Sequence, residues 1–148
     1  MKQSSISELT NDTRVFKVDP KIEAKNVRFQ NRYGFDIAGH LYLPKNFDAQ
    51  KQYKAVVVSG PFGAVKEQSS GLYAQEMAKH GYVAVAFDPS MTGESGGTRR
   101  NMASPDIFVE DYSAAVDFIS NLKFVNPDKV GAIGICGLSG MALTAAAN

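Results

Sequence analysis

Val130-Gly131-Ala132-Ile133-Gly134-Ile135-Cys136-Gly137-Leu138-Ser139-Gly140 is the stretch on which the reading of the fold turns. A continuous apolar run meets a nucleophilic side chain flanked by glycine, and the Ala-rich segment 137–148 then begins a helix. A strand without polar alternation is buried on both faces, as parallel strands are. Two earlier runs share its character, Ala55-Val56-Val57-Val58-Ser59 and Val83-Ala84-Val85-Ala86-Phe87. Between those two, Glu67 to His80 carries Tyr73 and Met77, and Ala74 and Ala78, at helical spacing, with Gly81 as a C-cap. Between the second and third, Ser104 caps and Pro105 opens a stronger helix. Its apolar stripe is Phe108, Tyr112, Ala115, Val116, Ile119 and Leu122. Asn126-Pro127-Asp128 ends that connection. The order strand–helix–strand–helix–strand predicts a parallel sheet with crossover helices on its faces.

Upstream, the pattern changes to alternation. Val27 and Phe29 alternate with polar neighbours, Asn31-Arg32-Tyr33-Gly34 is turn-prone, and Ile37, Leu41 and Leu43 alternate again before Pro44. This predicts a β-hairpin, giving an α/β architecture of five strands. Residues 1–22 show no clear periodicity and read as a polar, loosely held lead-in. Residues 23–148 read as the domain proper.

The bulk properties narrow the function. The chain has 148 residues, enough for one domain with a core, and 44% hydrophobic and 21% charged residues are ordinary for a globular protein. A net charge of +1 gives no electrostatic reason to expect nucleic acid or an anionic membrane as partner. No apolar run approaches the roughly 20 residues that span a bilayer, and the N-terminus has no signal-like apolar region. A single cysteine, Cys136, leaves no intramolecular disulfide and fits a reducing, cytoplasmic setting. Nothing in the pattern calls for a cofactor or a metal.

In open parallel sheets, ligands bind beyond the C-terminal ends of the strands. A nucleophile on a tight strand-to-helix turn presents its side chain to solvent from a strained backbone. Small neighbours let strand and helix approach there. Cys136 fits that position, and the helix N-terminus favours a thiolate over a thiol. Ser139 is the rival, but placing it at the bend would carry the strand through Gly137, a poor strand residue. An acyl-transfer site also needs N–H donors for the developing oxyanion. Gly137 supplies one. Gly60-Pro61-Phe62-Gly63-Ala64 supplies the other, from Phe62, because Pro61 has no N–H. Asp88, Glu94, Arg99 and Arg100 read as turn or surface residues, and Lys66, Glu67, Glu110 and Asp111 as solvated charge.

The run Ala55 to Ala147 resembles the dienelactone-hydrolase-like branch of the α/β-hydrolase superfamily, in its members with a cysteine elbow. The resemblance is carried by Gly60-Pro61-Phe62-Gly63, Val65-Lys66-Glu67-Gln68, Asp88-Pro89-Ser90 with Gly93-Glu94-Ser95-Gly96, and Gly134-Ile135-Cys136-Gly137. It implies the N-terminal half of an α/β-hydrolase sheet, with Cys136 as nucleophile and the Phe62 and Gly137 amides as oxyanion hole. The implied substrate is a small-molecule ester or related acyl compound. Leu138 stands where the common elbow pattern has its second glycine.

The superfamily places its acid and histidine downstream of the nucleophile. Twelve residues follow Cys136 here, and the only histidines are His40, in the hairpin, and His80, at a helix end. The expectation is therefore an incomplete triad, a chain inactive by itself, and an exposed edge on the fifth strand. That edge would pair with a second copy or with a complementary C-terminal fragment. Two other classes stay open: a non-catalytic relic or binding module, and a nucleotide-binding domain. The latter requires a Gly-x-Gly-x-x-Gly pattern, which Cys136 interrupts.

Overall fold

The predicted hairpin and the predicted strand–helix–strand–helix–strand unit join edge to edge in a mixed sheet. A computed structural model, which describes residues 4–147, gives the strands β1 (Ser5–Glu8), β2 (Glu23–Gln30), β3 (Asp36–Leu43), β4 (Tyr53–Ser59), β5 (Val83–Phe87) and β6 (Val125–Gly134). They lie in the order β1-β2-β3-β5-β4-β6. β4 pairs in parallel with both β5 and β6, while β3 meets β5 antiparallel. The crossovers are α1 (Ser69–Lys79) and α2 (Pro105–Ser120), and α3 (Ser139–Ala147) follows β6.

Strand alternation sorts the core into two layers. From β4, Val56 and Val58 join Ala74 and Ala78 of α1, whereas Ala55 and Val57 join Phe108, Tyr112, Ala115 and Ile119 of α2. Alanine on α1 lets that helix lie close to the sheet. Gly81, at φ +91°, ends α1 in a Schellman motif: its N–H donates to Ala78 O and the Tyr82 N–H to Met77 O.

Three expectations need correction. The lead-in is not loose: Ser5–Glu8 pairs antiparallel with β2, making six strands rather than five, although residues 1–3 lie outside the described part. All four β1 residues are exposed, so no apolar alternation marked the strand. Farther on, the Val15 N–H donates to Glu67 O, and the Gln75 amide holds both Lys17 O and the Asp19 N–H. Second, Asn126-Pro127-Asp128 lies inside β6 rather than before it. The register slips between Tyr53↔Val125 and Ala55↔Val130, and this irregularity accommodates a proline that cannot donate to the ladder. Third, the final helix begins at Ser139, after a 3-10 turn over Cys136–Leu138, and residue 148 lies outside the described part. No described helix is long and apolar enough to cross a membrane.

Candidate active site

The C-terminal ends of β4, β5 and β6 converge, and each is followed by a loop that the sequence had singled out. The last ladder bond, from the Ile135 N–H to Ser59 O at 3.0 Å, holds the start of the bend against the end of β4. Cys136 comes next with φ +57°, a left-handed conformation that non-glycine residues seldom adopt and that clusters at functional sites. Its side chain is exposed. The chain then passes through the 3-10 turn Cys136–Leu138 into α3.

Close approach explains the neighbours. A Cβ at Gly134 would lie 2.5 Å from Leu138 O and 2.6 Å from Ser139 Cα, so only glycine lets the helix fold back over the strand. A Cβ at Gly137 would lie 2.1 Å from Cε2 of Phe62, because that ring lies against the Gly137 backbone. Gly60, at φ +106°, is packed just as closely: a Cβ there would meet Ile135 O at 2.5 Å. The β4 loop and the bend are thus in direct contact. Leu138, in place of the second glycine, is fully buried in the α2 layer of the core. Ser139 sits in ordinary helical geometry, with its Oγ donating to Cys136 O at 2.6 Å. Of the two rival nucleophiles, Cys136 occupies the bend and Ser139 the first helical turn.

Phe62 is 46% exposed, its ring 6.0 Å from that of Phe108. Its N–H makes no hydrogen bond among the described residues. A cleft of about 70 Å³ opens beside it, bounded by Pro89, Thr92, Met102 and Phe108. The Tyr112 hydroxyl, directed at both Ser59 O (3.1 Å) and Ile133 O (2.9 Å), ties α2 to the ends of β4 and β6 under the bend.

The charged residues are the main correction at this end of the sheet. Lys66, Asp88 and Asp111 are buried rather than solvated, and Glu67 nearly so. The Lys66 ammonium lies 2.9 Å from Asp88, 2.5 Å from Glu94 and 3.1 Å from Glu67. Burial lowers its pKa, but the Asp88 and Glu94 carboxylates outweigh that and hold it above the usual lysine value. Asp88 is pushed up by burial while Lys66 pulls it down, and Glu94, the most exposed of the four, is held low by Lys66. Asp111 forms a second centre, accepting from the Ser90 N–H, the Ser90 hydroxyl and the Asn31 side-chain amide. Arg100 binds the carbonyls of Gly93, Ser95 and Gly97 and so braces the β5 loop. One signal for the buried carboxylates was present: Asp88 directly follows five fully apolar strand residues, where little solvent reaches.

Neither histidine reaches the bend. His40 is 1% exposed, on the face beside Lys66 and Glu67, and burial lowers its pKa to about 4. Its strand is three positions from β6, about 14 Å at normal strand spacing. His80 is exposed at the end of α1, its Nδ1 within 2.8 Å of Glu76 O. No group of three or more His, Cys, Asp or Glu suited to a metal occurs among the described residues.

A mixed sheet with crossover helices, interrupted by a left-handed residue between its last strand and the next helix, defines an α/β-hydrolase-type fold. The chain belongs to the X-Pro dipeptidyl-peptidase (S15) family, whose sequence profile matches residues 34–148. It is 60% identical over 134 residues to PA2218, an uncharacterized protein of Pseudomonas aeruginosa, covering 90% of this chain and 36% of that protein. The crystal structure of PA2218 superposes with a TM-score of 0.89 at 57% identity, over 97% of this chain and 44% of that one. A thiohydrolase of Eupenicillium brefeldianum is 33% identical over 123 residues, 83% of this chain and 38% of that protein. The α/β hydrolase GrgF from Penicillium sp. sh18 superposes with a TM-score of 0.75 at 26% identity, over 84% of this chain and 41% of its own. The chain thus spans well under half the length of these relatives.

Proposed function

We infer that this chain carries the nucleophile and oxyanion hole of a hydrolase that cleaves a small-molecule ester or related acyl bond. In this reading the Cys136 sulfur attacks the acyl carbon, and the carbonyl oxygen gains negative charge as the tetrahedral intermediate forms. The N–H groups of Phe62 and Gly137 stabilise that charge. The C–O bond then breaks, the leaving oxygen takes up the proton that the Cys136 thiol gave up, and water hydrolyses the acyl-cysteine to the acid and the free thiol. The observation that carries the reading is the left-handed, exposed Cys136 between β6 and α3. The unpaired Phe62 N–H and the thiohydrolase and α/β hydrolase names of two relatives support it. The four motifs quoted above favour a cysteine-elbow, dienelactone-hydrolase-like site.

Within these 148 residues no histidine is placed to shuttle the proton, so this chain alone should acylate without sustained turnover. The outer edge of β6, unpaired among the described residues, fits a further strand from a second copy or from a complementary C-terminal fragment. With p-nitrophenyl acetate, intact-mass analysis should find one acetyl group on the chain, with one equivalent of p-nitrophenolate released. Cys136→Ala should abolish both. An acetyl group that persists in the variant refutes the nucleophile, and steady turnover by the unmodified chain refutes the inactivity.

A further inference from the structure

The β4 loop that carries Phe62 touches the bend through the Phe62 ring, but its backbone is tied to other elements only near its ends. Its near end is packed by Gly60 against Ile135. From Pro61 to Val65 the hydrogen bonds among the described residues are local: Ala64 N–H to Pro61 O, Val65 N–H to the Gln68 side chain and Gln68 N–H to Val65 O. The first bond to another element comes at Lys66, whose N–H donates to Asp88 Oδ1 at 2.6 Å. Asp88 Oδ2 accepts from the Lys66 ammonium at 2.9 Å and from the Glu94 N–H at 3.0 Å. One carboxylate, fully buried at the end of β5, therefore clamps the β4 loop and the β5 loop together. We propose that Asp88, acting through Lys66, is a positioning residue that sets the Phe62 N–H against the bend at Cys136. The inference rests on the oxyanion role given to Phe62 above.

An oxyanion donor acts only if it is already in place when charge develops, and losing one costs about 10²–10³ in rate. Loosening rather than removing the donor should cost less, about tenfold. Asp88→Asn keeps the shape but turns one oxygen into an N–H₂ group. That group opposes either the Lys66 N–H or the pair formed by Glu94 N–H and the ammonium, so one loop loses its acceptor.

Two reagents separate positioning from general damage. Acylation by p-nitrophenyl acetate passes through an oxyanion, whereas alkylation of the thiol by iodoacetamide does not. Asp88→Asn should slow acylation of Cys136 about tenfold and leave alkylation within about twofold of the unmodified chain. Equal slowing of both reactions, or of neither, overturns the inference while leaving the nucleophile intact. Failure of the unmodified chain to acylate at Cys136 overturns the hydrolase reading, and this inference with it. Should Asp88→Asn lose its far-ultraviolet circular dichroism, Glu94→Gln decides, since the Glu94 side chain is 62% exposed and folding does not hinge on it. A selective loss in acylation of about threefold supports the clamp, and no selective loss overturns it.

Discussion

Asp88 and Asp111 both have carboxylates with no exposed surface, and the β5 loop links them, since Ser90 is the partner of Asp111. They are accommodated by different means. Asp88 faces an ammonium that is itself buried and that also meets Glu67 and Glu94. Asp111 has no ammonium or guanidinium within ion-pair distance among the described residues. It relies on neutral donors from Ser90 and Asn31, with Asn31 also accepting from the Tyr33 and Phe35 N–H groups. The first centre joins the two loops that flank the candidate site. The second joins the hairpin turn to α2. The contrast shows two ways to bury a carboxylate: a counter-charge that must stay, or a full set of hydrogen bonds.

The harshest way to break the comparison is Lys66→Met. The thioether fills similar volume but leaves Asp88 buried without its cation, which should destabilise the fold by about 3–5 kcal/mol in urea unfolding. Asp111 has no equivalent residue to remove. The next effect concerns His40, which borders the Lys66 centre. Its folded-state pKa is lowered from 6.5 to about 4, by burial first and by Lys66 second. A depressed value means that the neutral ring stabilises the fold above pH 6.5, and that this stability is lost as pH falls from 6.5 toward 4. The loss should approach about 3 kcal/mol, and His40→Met should flatten it in unfolding curves taken across that range.

Much of the fold could be read in advance because burial leaves a mark on composition. The runs at 55–58, 83–87 and 130–135 are apolar throughout, and their helices carry stripes or caps. β1 left no mark, since its four residues are all exposed and it is held by backbone pairing and by polar contacts of Lys25 and Asn26 with Glu8, none of which needs an apolar residue. The bend at Cys136 was legible from Gly134 and Gly137, but for partly different reasons. Gly134 does clear the helix backbone, whereas Gly137 clears the Phe62 ring, contributed by a loop about 75 positions earlier in the chain. The charged residues are hard to read from sequence for the same kind of reason. Lys66, Asp88 and Asp111 look like surface residues one at a time, and only the fold brings their partners together.

The smallest effect also sharpens the comparison most. In Asp111→Asn, one side-chain atom can still accept from Asn31 and the Ser90 hydroxyl, but the other now presents N–H to the Ser90 N–H, which donates to Asp111 Oδ2 at 2.7 Å. That mismatch costs about 1–3 kcal/mol, offset in part because a buried charge is no longer required. The pH dependence has the opposite sign to that of His40. Burial raises the Asp111 pKa above 3.8, against the pull of the Ser90 donors. A raised value means that the stability linked to this group is fully present below 3.8 and is lost as pH rises through the folded-state pKa. Asparagine does not titrate, so the stability gap between the natural chain and Asp111→Asn should widen as pH falls toward 3.8. A gap that narrows on acidification would mean that the Ser90 and Asn31 donors outweigh burial, and that hydrogen bonds from neutral groups alone hold Asp111 ionised.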